Sequence, residues 1–168
     1  RGVCHRDLRT ENILLDSNFN PKICNFESAK VLDLENPDDE LTTTVRGKIV
    51  FMDPIIYSSD EEGYNPKAAD VYSFAFLVYS ILSGHELNLG LSLSGSIVDK
   101  RPSLSNIDND EFSKLIKDCW STNENNRPTF DQITDCLINK EIWLHGHQKK
   151  KRKMRKKKMQ MAKQVSRK

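Results

Sequence analysis

The chain has 168 residues, 37% of them hydrophobic and 30% charged, with a formal net charge of +2. That is enough for one domain with a real core, in the composition range of an ordinary soluble protein, and no apolar run in it approaches membrane-span length. The small net charge hides a division: Lys149 to Lys168 holds twelve of the 26 basic residues and no acid, leaving a balance of −10 on the rest. An acidic body with a basic tail points to an interaction tail.

The chain starts at Arg1 with no signal-peptide pattern, so a fragment is expected. Ile13-Leu14-Leu15 and Lys22-Ile23-Cys24 flank the polar Asp16-Ser17-Asn18, which predicts a short β-hairpin. Residues 33–46 are polar and acidic without periodicity and predict a long mobile loop. Asn65 is a good helix cap and Pro66 suits a first helical position. The run Lys67 to Ser83 is apolar nearly all round and predicts a buried helix, ended by Gly84. A Leu, Gly and Ser loop follows from Leu87 to Ser96. Phe112, Leu115, Ile116, Cys119 and Trp120 then lie on one face of an amphipathic helix. Thr129 and Gln132 form a capping box before Ile133 and Leu137. Cys4, Cys24, Cys119 and Cys136 are scattered without metal-ligand spacing, which predicts reduced, buried thiols and a cytoplasmic or nuclear setting.

His5-Arg6-Asp7-Leu8-Arg9-Thr10-Glu11-Asn12 resembles the protein kinase catalytic loop. Asp70-Val71-Tyr72-Ser73-Phe74-Ala75 and Arg127-Pro128-Thr129-Phe130 resemble later stretches of the same superfamily, of serine/threonine or tyrosine-kinase-like type. The resemblance covers roughly Arg1 to Leu137. It implies a mainly α fold, the C-terminal lobe of the kinase fold with a short β-hairpin at its N-terminal end, over residues 1–144. A Lys/Arg-rich tail occupies 145–168.

By that resemblance Asp7 is the candidate catalytic base and Asn12 a candidate metal ligand. Arg9 stands at the catalytic-loop Lys position, where a planar guanidinium is not equivalent to a compact ammonium. His5, Arg6, Asp70 and Arg127 take structural roles, with Asp70 bonding the backbone of the catalytic loop. Thirteen residues after Asn12, the expected Asp-Phe-Gly reads Asn25-Phe26-Glu27. Asn25 is therefore a degenerate metal position, offering a neutral oxygen to a cation that prefers anionic ones. Glu27 stiffens a hinge where Gly is usual, and its carboxylate is an alternative donor. Gly47 to Ile55 resembles the end of the activation segment, with Lys48, Asp53 and Ile55 replacing Thr, Ala and Glu. That Glu would pair with Arg127, which must find another acceptor or be solvated.

Thr42, Thr43 and Thr44 lie where activation-loop phosphosites lie and could pair with Arg6 once phosphorylated; three solvated threonines are the plainer reading. The tail from Lys149 to Lys158 reads as a nucleic-acid or nuclear-import-receptor patch, an anionic-membrane contact, or a solvated extension. ATP and magnesium are the implied cofactors. Neither is expected to bind this chain tightly, because the Gly-rich loop and strand Lys are not in it. The function expected is that of a pseudokinase binding or scaffolding module for other signalling proteins. The alternatives are an ATP-dependent protein kinase and a tail-directed nucleic-acid or import-receptor binder.

Overall fold

The computed structural model describes residues 2–32, 51–58, 63–85 and 101–139. The expected loops at 33–46 and 87–96, the threonine cluster, Lys48 and the basic tail lie outside the described residues.

The fold is mainly α, and among the described residues the small strands lie at its N-terminal end. Strand β1 (Gly2–Cys4) pairs antiparallel with β4 (Lys30–Leu32), Val3 opposite Val31. Between them, β2 (Ile13–Leu15) and β3 (Pro21–Ile23) form the expected hairpin, Leu14 opposite Lys22. Asp16 closes its turn. One carboxylate oxygen accepts the N–H groups of Asn18 and Asn20, both at 2.9 Å, the local bonding for which Asp is favoured in turns.

Helices α1 (Ile55–Ser58), α2 (Pro66–Ser83), α3 (Asp110–Cys119) and α4 (Phe130–Asn139) make the body. At the start of α2 the Asn65 side chain accepts the N–H groups of Lys67 and Ala68 at 3.0 and 3.2 Å. Such a cap contributes about 1 kcal/mol. Gly84 ends α2 in the left-handed region at φ 68°, with its N–H on the Ser80 carbonyl, a conformation glycine adopts without penalty. The Asn109 side chain caps α3 on Glu111 and Phe112. The capping box before α4 is reciprocal: the Thr129 N–H donates to Gln132 Oε1 at 2.8 Å and the Gln132 N–H to Thr129 Oγ1 at 3.3 Å.

The core lies between α2, α3 and α4. Phe76 on α2 is its centre, with its ring 5.2 Å from Tyr72 and 5.3 Å from Trp120. Ile116, Cys119 and Ile133 close around it. The helix that the sequence renders apolar on every side is buried along most of its length, but Ile81 near its end is exposed. Among the described residues no helix is long and apolar enough to cross a membrane. All four cysteines are free thiols: Cys4 and Cys119 are buried, Cys24 and Cys136 half-buried.

Candidate functional site

The site is built where β1 runs into the loop from His5 to Asn12. Arg6 has a left-handed backbone, φ 64°, a conformation that costs about 1–2 kcal/mol for a non-glycine residue. Two charge-assisted hydrogen bonds oppose that cost: the His5 N–H donates to Asp70 Oδ2 at 2.6 Å and the Arg6 N–H to Oδ1 at 2.8 Å. Successive backbone N–H groups thus converge on one buried carboxylate, as in an anion nest. Asp70 sits in the first turns of α2, so the loop is hung from the core helix. Burial pushes the Asp70 carboxyl pKa upward, although the two N–H donors pull it down.

His5 is buried and fixed as the neutral tautomer. Its Nε2 lies 2.9 Å from the Cys24 carbonyl, which can only accept. Its Nδ1 receives the Asp7 N–H at 3.3 Å, which can only donate. The proton is therefore on Nε2. Phe26 sets its ring edge-on to the imidazole, with centroids 4.9 Å apart, while remaining more than half exposed. The Arg6 guanidinium donates through Nε to the Ser28 carbonyl. Burial pushes the Tyr64 phenol pKa up.

Asp7, Arg9, Asn12 and Asn25 are brought together. Asn12 is buried and donates its amide to the Asp7 backbone carbonyl at 2.7 Å and to Asp7 Oδ2 at 2.8 Å. Arg9 Nε lies 3.3 Å from the same Oδ2, close enough for an ion pair but without the alignment of a hydrogen bond. Asn25 also has a left-handed backbone, φ 63°, which Asn tolerates better than most residues. Its amide donates to Asn12 Oδ1 at 3.4 Å, a long and weak bond. The result is a chain of amides running from Asn25 through Asn12 to the Asp7 carboxylate. The oxygen that Asn12 would offer a cation faces an NH₂ group instead. Glu27 is exposed on the 3-10 turn Phe26–Ser28.

A second constellation lies below. Arg127, with a side chain 1% exposed, pairs through NH1 and NH2 with both oxygens of Asp53, which is equally buried. Its Nε donates to the Ser121 carbonyl at 2.8 Å and NH1 to the Ala68 carbonyl at 3.0 Å. The guanidinium also lies 5.0 Å from the Tyr72 ring centroid, within cation–π range. Asp53 is the residue the sequence left unassigned. The available signal was a carboxylate at a position where the family pattern has Ala, two residues from the missing Glu.

The protein kinase domain family matches residues 1–144. A Dictyostelium discoideum protein named "probable serine/threonine-protein kinase" is 35% identical over 144 residues, covering 82% of this chain and 10% of its own length. A second protein from that organism, named likewise, is 30% identical over 140 residues and 32% of its own length. Wall-associated receptor kinase 3 of Arabidopsis thaliana is 36% identical over 84 residues, half of this chain and 11% of its own length. The chain thus spans a third or less of each of these relatives.

Proposed function

The chain belongs to the protein kinase family, and from that premise we propose that it acts as a pseudokinase-type binding or scaffolding module in signalling. The observation that carries this reading is the Asn25 amide directed at Asn12 Oδ1. Family membership implies ATP and magnesium. The donor set here does not suit a tightly held divalent cation, which prefers several anionic oxygens. Asn12 and Asn25 are neutral, and the Asp7 carboxylate already serves Asn12 and Arg9. Phosphoryl transfer rests mainly on electrostatics and positioning. Removing one such group costs about 3–4 kcal/mol, or two to three decades of rate. Lys48 and Ile55 depart from the family pattern as well.

A serine/threonine kinase is the second reading. The observation favouring it is the ordered pairing of Asp7, the candidate base, with Asn12 at 2.8 Å. A phosphotransfer assay on the complete protein, with Asp7→Asn as control, separates the two. The scaffold reading expects no transfer above the control; transfer abolished by Asp7→Asn overturns it.

A further inference from the structure

We propose that Asp53 is a positioning residue that fastens residues 51–56 to α2 by pairing with Arg127 and capping α1 with the same carboxylate. It takes over, two residues earlier, the anchoring work of an acid at position 55. The proposal is independent of whether the chain transfers phosphate.

The geometry carries both roles. Asp53 Oδ1 accepts the Ile55 N–H at 3.1 Å while also receiving Arg127 NH2 at 3.1 Å. The Asp53 carbonyl accepts the Ile56 N–H at 3.1 Å, opening the turn of α1. Side-chain bonding to the N–H two residues on is what a helix-capping Asp does. A residue at 55 already lies inside α1 and cannot cap it from outside. Ile55 takes an apolar role there: with Ile56 it packs against Tyr64 and Ala69. Two residues before Asp53, Phe51 is buried and its carbonyl accepts Ser73 Oγ at 2.7 Å. The segment is therefore fastened to α2 at Phe51, through Ser73, and at Asp53, through Arg127 and the Ala68 carbonyl.

The two roles separate by substitution in the complete chain. Asp53→Ala removes both, and is expected to lower the thermal midpoint by roughly 10 °C and to accelerate amide exchange at Ile55 and Ile56 by about 100-fold. Asp53→Asn keeps an acceptor for the Ile55 N–H and is expected to retain protection at Ile55 while lowering the midpoint. The pair Asp53→Ala with Ile55→Glu returns a carboxylate to Arg127 but no cap. It is expected to recover at least half of the lost midpoint while leaving Ile55 unprotected. Unchanged exchange at Ile55 in Asp53→Ala overturns the capping role. A double variant no more stable than Asp53→Ala overturns the transposed anchor. Should Asp53→Ala not fold, recovery of folded protein on adding Ile55→Glu supports the anchor, and failure of that variant too overturns it.

Discussion

Replacing Asp70 by Asn isolates the attachment of the catalytic-type loop to the core. Each carboxylate oxygen accepts one backbone N–H, from His5 at 2.6 Å and from Arg6 at 2.8 Å. An amide keeps the shape but turns one oxygen into a donor, so one N–H loses its acceptor and faces an NH₂ group. A hydrogen bond to a charged group contributes about 1.5–3 kcal/mol, and a buried orphan donor costs about 1–3 kcal/mol. Against this, Asn removes a buried charge whose desolvation raises the Asp70 pKa. The relief does not restore the lost contact: a carboxyl, ionised or protonated, keeps a lone pair on each oxygen for the two N–H groups, whereas the NH₂ of Asn offers none. We expect a net cost of about 2 kcal/mol at pH 7, read as a lower urea midpoint at unchanged m-value. The sign of the pH dependence follows from the raised pKa. A carboxyl raised in the folded state contributes stability below its unfolded value of 3.8, and loses it as pH rises through the folded value. Asn does not titrate, so the wild-type advantage over Asp70→Asn should be larger in acid than at neutral pH. A cost below about 0.5 kcal/mol, within the range of ordinary surface substitutions, or an advantage that grows with pH, would refute the reasoning.

Thiol reactivity and metal response follow from burial and charge at single residues. Burial pushes the Cys4 thiol up to about 11 and the Cys119 thiol up to about 12, so thiolate at pH 8 is scarce at both. Iodoacetamide should modify the half-buried Cys24 and Cys136 first, by peptide mass spectrometry; Cys4 labelling as fast as Cys24 in the folded protein would contradict its burial. Asn25→Asp places an anionic oxygen beside Asn12 at a residue whose left-handed backbone Asp also tolerates. Millimolar Mn²⁺ should then raise the melting temperature of the variant by a few degrees, as ligand linkage requires, and leave the wild type unmoved; an equal shift in both would show that Asn25 is not what limits the metal.

Much of the fold is legible in the sequence because its signals are local. Asn65-Pro66 and Gly84 bracket α2 through caps acting within four residues, and Thr129 with Gln132 starts α4 the same way. The hairpin is marked by Asp16, whose side-chain hydrogen bonds reach no farther than Asn20 and whose ion pair reaches Lys22. The pairing of β1 with β4 is not legible: each strand has three residues, too few for an alternation, and the partners lie 28 residues apart at their middle pair. The site divides in the same way. The order of the motifs identifies which residues meet, since Asp7, Arg9 and Asn12 share one short loop. What each substituted side chain does there depends on distances that spacing does not encode. That Arg9 leans on Asp7 and that the Asn25 amide turns to Asn12 are visible only in the structure.

Burial explains why one departure from the family pattern is matched by a replacement and another is not. Arg127 has a side chain 1% exposed, and leaving a buried charge without its partner costs about 3–5 kcal/mol. Against a total stability of about 5–15 kcal/mol, that loss threatens the fold, so Ile55 can stand only because Asp53 supplies the carboxylate. Asn25 is exposed, and Asn is nearly isosteric with Asp. Its neutral amide therefore leaves no buried charge unpaired, and on the proposed reading its effect falls on metal affinity. The two changes look alike as letters, each an acid lost from a motif. Their consequences differ because one strands an arginine in the core while the other only withdraws a charge from a solvent-exposed position. Asn25→Asp should accordingly change metal response with little effect on metal-free stability, whereas Asp53→Ala should unsettle the fold without any metal present.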